Sequence, residues 1–217
     1  MKHLLLLLFF TTFINSYSQK KVVKKFSSES SSIEINTTGL DDFVLENSDS
    51  ESIEITLFAE NPTEHNLVVV EKSSNTSIQF FVEESTIEEA IFRKFITKRL
   101  QRASAIVKIP KNKQVYISGD NINITSKDYL GNISIFIEKG IVKLNHLTKS
   151  GALQLYAGTI YATLKDTNIN VVSNLGTIKV DGVAYVKNYI KTEKYLSNNF
   201  KVYSIKANIL LSTQKEQ

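Results

Sequence analysis

Residues 132–147 read NISIFIEKGIVKLNHL, and residues 150–165, eighteen positions on, read SGALQLYAGTIYATLK. Superposed at that step, Gly140 falls on Gly158, Ile135 on Leu153, Val142 on Ile160 and Leu144 on Ala162. The step extends both ways: Gly176 continues the glycines, Ile117 and Val171 complete one apolar column, Ile124 and Ile178 a second, and Val180 the third. Apolar and polar residues alternate between the columns, which is the period-two signature of half-buried strands. A unit this short cannot bury its apolar face alone, so a fixed repeat implies stacking. The expected fold is mainly β, a single-stranded β-solenoid (β-helix) of roughly 18-residue rungs, with glycine at the corner where a Cβ would oppose a sharp bend. A hexapeptide solenoid does not fit, because the two main columns are offset by seven positions and Asn123, Thr159 and Thr177 interrupt a six-residue count.

Alternation continues upstream. Ile33 and Ile35, Phe43 and Leu45, Ile53 to Leu57, Leu67 to Val70 and Ile78 to Val82 form runs separated by polar clusters such as ENSDSES. These place an N-terminal β region at 33–84. Over 85–103, Ile87, Ala90, Ile91 and Phe95 approximate helical spacing. Ser85 or Thr86 followed by Glu88 or Glu89 fits a capping box, so a short helix or linker is expected there. Residues 19–32, basic and then serine-rich, read as a flexible lead-in. The solenoid then occupies 104–217, with Ala105 to Ile109 closed by Pro110 and a C-terminal cap around Phe200, Val202, Ile205, Ile209 and Leu210.

The first eighteen residues carry the pattern of a secretory signal peptide. Lys2 and His3 give a basic start, Leu4 to Phe10 an apolar core, and Ser16-Tyr17-Ser18 a small-x-small cleavage site before Gln19. That apolar run falls far short of the roughly 20 residues of a membrane span, and no later run approaches it. With no cysteine in the chain, a lipoprotein anchor, disulfides and thiolate metal sites are all excluded. The expected location is exported, in the periplasm or at the cell surface, not cytoplasmic and not a lipoprotein.

The net charge of +4 hides a division. Ser28 to Glu89 holds fifteen acidic residues against Lys72 alone, while Ala90 to Gln217 holds twenty Lys and Arg against seven acids. Such asymmetry suits docking of one half on the other, self-association, or separate partners. Arg93, Lys94, Lys98, Arg99 and Arg102 form a candidate patch for an anionic ligand, with an anionic envelope glycan or another envelope protein as partner. Nucleic acid is not expected, since no stacking aromatics accompany the bases.

Catalytic signals are sparse. His65 and His146 sit in no recognisable motif, and no phosphate-binding loop, G-x-S-x-G or H-E-x-x-H occurs. Asp120 and Glu138 share the eighteen-residue step, and with Asp166 they are the carboxylates to check for convergence, as a polysaccharide-cleaving enzyme would need. The next equivalents, Tyr156 and Asn174, break the column. No catalytic residue, cofactor or metal is assigned.

Val107-Lys-Ile-Pro110, the Lys111-Asn-Lys turn and Val115-Tyr-Ile117 resemble the opening motif of a bacterial exported family. Gly140-Ile-Val-Lys-Leu144, Gly158-Thr-Ile160 and Val172 to Asp181 resemble its glycine-plus-β repeat. The family is known as putative auto-transporter adhesin, head domain, or adhesin-like domain of unknown function. The resemblance covers about residues 33–181 and departs at Ile122, where the corner glycine is missing, and in the basic segment 91–102. It implies a β-solenoid on the envelope side of the membrane and no catalytic residues. The expected function is therefore an exported, non-enzymatic, adhesin-like envelope protein serving binding or structural support. The alternative is a carbohydrate-active enzyme on a β-helix scaffold.

Overall fold

The computed structural model describes residues 20–60, 65–71, 74–82 and 103–214. The signal segment 1–18, the expected helix over 85–102 and the patch Arg93, Lys94, Lys98, Arg99 and Arg102 lie outside the described residues. Ala103, the last residue of the expected helix, instead opens a strand. Among the described residues there is no helix, and sixteen strands join in one mixed sheet.

Three long strands form its centre: β10 (Asn132–Leu147), β11 (Gly151–Lys165) and β16 (Asn198–Gln214). The eighteen-residue step is their pairing register. β8 (Gln114–Asn121) and β9 (Asn123–Lys127) pair in parallel with successive parts of β10, and β10 pairs in parallel with β11, so that Ile117, Ile135 and Leu153 are neighbours, as are Ile124, Val142 and Ile160.

The single-stranded solenoid does not form. In such a coil successive rungs are neighbours and all parallel, whereas here β16, the last strand, lies between β11 and β12 (Thr167–Ser173), parallel to both. Val171 and Ile178 therefore do not stack on the third unit; they pair with Val202 and Ile209. The segment expected to cap the stack is an interior strand. At the other end, β2 (Ser32–Asn36) lies between β8 and β6 (Asn75–Val82), and β3 (Asp42–Asn47) between β9 and β7 (Ala103–Ile109). The outer pairings are antiparallel: β4 (Ser52–Ala59) with β7 and with β1 (Lys20–Ser27), and β5 (His65–Glu71) with β6. β13 (Ile178–Val180) with β14 (Val183–Tyr185), and β12 with β15 (Asn188–Lys191), complete the set. Thus the segment read as a flexible lead-in contains β1. An apolar repeat encodes which residues can be neighbours, but not which strand arrives to be one; that choice is non-local.

Each long strand serves two half-sheets. Before Gly140, β10 buries Ile133, Ile135 and Ile137; after it, the buried parity switches to Val142 and Leu144. Both half-sheets bury one face and join a single core. A sheet with one dry face needs a cover, so the two halves cover each other and the sheet is doubled over along the glycine line. There, a Cβ on Gly140 would drive into the Ile122 carbonyl, on Gly158 into the Gly140 carbonyl, and on Gly176 into the Ala207 carbonyl. Gly140 and Gly158 also hold φ of +150° and +134°, which side chains resist.

Polar groups seal the margins of this core. Buried Ser28, Ser30 and Thr76 hydrogen-bond to one another, and Lys113 Nζ donates to the carbonyls of Ser28 (3.3 Å) and Ser30 (2.6 Å). Tyr129, 1% exposed, sends its hydroxyl toward the carbonyls of Pro110 (3.2 Å) and Lys113 (3.1 Å).

Part of the charge division is interleaved within the sheet. On the outer face of the second half-sheet the register sets Lys25 beside Glu54, Glu54 beside Lys108, Lys108 beside Glu46 and Glu46 beside Lys127. Lys127 Nζ and Glu46 Oε1 are 2.8 Å apart. Acidic β3 and β4 thus interleave with basic β1, β7 and β9, a favourable cross-strand arrangement.

Two predictions follow from these contacts. Gly158→Ala combines a backbone clash with strain and should cost about 3 kcal/mol or more. Gly182→Ala, with φ +83° but open space around it, should cost about 1 kcal/mol. Chemical denaturation of both variants tests this, and equal costs would dismiss the glycine line. Burial pushes the Tyr129 phenol well above its ordinary value, so the folded state holds that proton more tightly than the unfolded chain. Its contribution is fully present below pH about 10 and is lost as pH rises beyond that. Tyr129→Phe should lose about 1–3 kcal/mol at neutral pH, and the gap to wild type should narrow in denaturation curves above pH 10.

Candidate binding face

The first half-sheet turns its second surface to solvent, and its sequence is unusual. The segments Gln114–Gly119, Asn132–Ile137, Gly151–Ala157 and Thr167–Ser173 contain no charged residue, in a chain that is 22% charged. Inward positions are taken by the apolar columns, so the outward ones decide the surface.

The register lays these outward residues in rows. One row runs Gln79, Asn36, Ser118, Phe136, Gln154, Tyr203 and Val172 from β6 to β12. The next runs Ser77, Glu34, Tyr116, Ser134, Ala152, Lys201 and Asn170, in which Glu34 and Lys201 are the charged members. Tyr116, Phe136 and Tyr203 are 40%, 46% and 51% exposed. Phe136 stands between two shallow, open depressions of about 330 and 280 Å³. The larger runs past Gln154 to Tyr203, and the smaller past Ser118 to Asn36, Tyr116 and Gln79. Phe136 and Tyr203 are separated by two strand spacings, roughly 10 Å. The side chains of Gln79, Gln154 and Asn170 make no hydrogen bond among the described residues. Asn36 uses its Oδ1 to accept from Thr38, through the backbone N–H at 3.0 Å and the hydroxyl at 2.5 Å.

Of the residues singled out for chemistry, Asp120 and Glu138 fall side by side across β8 and β10, in the row next to that of Phe136, and the others do not join them. Asp120 and Glu138 flank the glycine line, both exposed, and Glu138 pairs with Lys139 at 3.1 Å. Asp166 occupies the turn between β11 and β12, at the far end of β11, with φ +47°. His146 and Asp128 pair at 2.8 Å, exposed, and both hold positive φ at strand ends, so they serve as turn residues. His65 lies on β5, a strand at the edge of the first half-sheet. Among the described residues no three His, Asp or Glu side chains gather to hold a metal ion. Tyr116, Phe136, Tyr203 and Gln154 went unread in the sequence; the uncharged outward positions of NISIFI and ALQLYA are the signal that marks them.

Among solved structures, a putative cell adhesion protein from Clostridium sporogenes superposes with a TM-score of 0.56 at 11% identity, over 92% of this chain and 100% of that one. The chain shares that fold. Putative adhesins from Bacteroides fragilis (TM-score 0.40, 11% identity, 91% of this chain and 98% of that chain) and Parabacteroides distasonis (0.32, 12%, 91% and 98%) are more remotely similar. No protein-family model and no curated protein matches the chain. The adhesin-like resemblance read from Val107–Ile117 and the glycine segments is met by a fold shared with a protein described as a putative cell adhesion protein, and at 11% identity the likeness is one of fold.

If the aromatic residues on this face do not hold the core together, removing them is cheap. Phe136→Ala and Tyr203→Ala should each change the unfolding free energy by no more than about 1 kcal/mol, against about 2–5 kcal/mol for Ile135→Ala one position inward. Denaturant titration decides between the two.

Proposed function

We propose that this chain is an exported, non-enzymatic, adhesin-like protein of the cell envelope, acting by binding through an extended sheet surface. The observation that carries the reading is the broad face with half-exposed aromatic rings and shallow depressions, on a fold shared with a protein described as a putative cell adhesion protein. Open depressions suit an extended partner, whereas small-molecule sites are concave and enclose most of their ligand. Export rests on the basic, apolar and small-x-small pattern of Lys2 to Ser18. Polysaccharide cleavage is the weaker reading, because Asp166 lies at the far end of β11, away from Asp120 and Glu138, and Glu34, beside Tyr116 in the register, has no second carboxylate in its row.

Fractionation of bacterial cells producing the full chain, with mass determination of its N-terminus, tests the reading. Expected is a form beginning at Gln19 in the periplasmic or surface fraction, with no reducing sugar released from polysaccharides. An intact Met1 form retained in the cytoplasm, or sugar release abolished by Glu138→Gln, would overturn it.

A further inference from the structure

We propose that the aromatic face centred on Phe136 binds a neutral polysaccharide lying across the strands. This deepens the binding function proposed above and depends on it. Three observations converge on one ligand chemistry.

The first is the rings. Tyr116, Phe136 and Tyr203 project from β8, β10 and β16 on the solvent side, each with about half its surface in water. A pyranose has an apolar C–H face that packs on an aromatic ring and leaves its hydroxyls free to hydrogen-bond at the edge. Two strand spacings, roughly 10 Å, separate Phe136 from Tyr203, which suits sugar units in succession along a chain rather than one bound monosaccharide.

The second is the groups between the rings. Gln154 lies between Phe136 and Tyr203 in the register, and Gln79 and Asn170 extend the face on either side. Their amides have no partner among the described residues. An amide both donates and accepts, as a sugar hydroxyl does, so each can pair with a hydroxyl in either sense. An apolar partner would bury these amides with nothing to bond, which is unfavourable.

The third is charge. Of the two central rows only Glu34 and Lys201 are charged, one of each sign, whereas the opposite half-sheet carries the Lys25–Glu54–Lys108–Glu46–Lys127 ladder. An acidic polymer finds no set of cations in these two rows, whose single acid and single base offset each other. The depressions either side of Phe136 open along the same rows, so a polymer can pass over the ring without ending in a pocket.

The test uses the full chain as exported, in affinity electrophoresis and calorimetry against dextran, β-glucan and mannan, with heparin as the anionic comparison. The expected result is binding to at least one neutral polymer, unchanged between low and high salt, since no ion pairs are screened. Phe136→Ala and Tyr203→Ala should each weaken it tenfold or more while keeping the wild-type unfolding midpoint. Tyr203→Phe should bind within about threefold of wild type, because the ring is retained, and Lys143→Ala on the other half-sheet should change nothing. Binding to heparin alone with steep salt dependence, binding to none of the polymers, or neutral binding indifferent to both ring deletions would overturn the assignment. So would concentration-dependent self-association lost in Phe136→Ala, which would give the face to a second copy. A protein that fractionates with the envelope yet fails these tests removes the ligand and leaves the binding function standing; retention in the cytoplasm removes the binding function itself.

Discussion

Backbone packed directly on backbone along the glycine line is the contact on which the rest of the structure depends. Gly158 sits against the Gly140 carbonyl, Gly140 against that of Ile122, and Gly176 against that of Ala207. No side chain fits between these strands at the turning point, and the positive φ at Gly140 and Gly158 switches which residues of the strand face inward. That switch lets one strand supply Ile135 to the first half-sheet and Val142 to the second. Without it, a sixteen-residue strand such as β10 would present one apolar face over its whole length and could not fold over onto itself.

What the periodicity made legible was register. Ile117, Ile135 and Leu153 were grouped by spacing alone and are hydrogen-bonded neighbours in the sheet. Polar residues obey the same step: Asn123 accepts from the Ile141 N–H and Asn132 from the Ser150 N–H, each eighteen positions on. Strand order was not legible, because a column says only that Val171 is compatible with Leu153. Val202 is equally compatible and takes the place, since β16 runs beside β11 along its whole length while β12 reaches only its first half. Longer pairing buries more backbone polar groups in mutual bonds, and nothing in an eighteen-residue window reports it.

Charge read along the chain differs from charge read across the sheet for a related reason. Counting acids and bases along the chain gave two halves of opposite sign, whereas the sheet shuffles β3 and β4 among β1, β7 and β9 so that opposite charges alternate across strands. His146 and Asp166 drew notice as reactive types, yet each holds a left-handed backbone at the end of a strand, a conformation in which Asp and His are enriched. The aromatic face escaped because its rings alternate with core residues, and an outward Phe136 between Ile135 and Ile137 reads as more core until inside is separated from outside.

The doubled sheet gives β10 two characters on one strand. NISIFI, before the glycine, shows Phe136 and uncharged neighbours to solvent, while IVKLNH, after it, shows Lys143 and His146. The glycine line therefore divides surface chemistry as well as burial, with the exposed rings on one half-sheet and the Lys–Glu ladder on the other. Rings held by paired backbone lose little freedom when a ligand arrives, and ordering side chains at an interface otherwise costs about 0.5–1.5 kcal/mol apiece. A shallow face can then bind through a few stacked rings and free amides, because the core beneath Phe136, where Ile135 and Ile137 are buried, has already set their spacing.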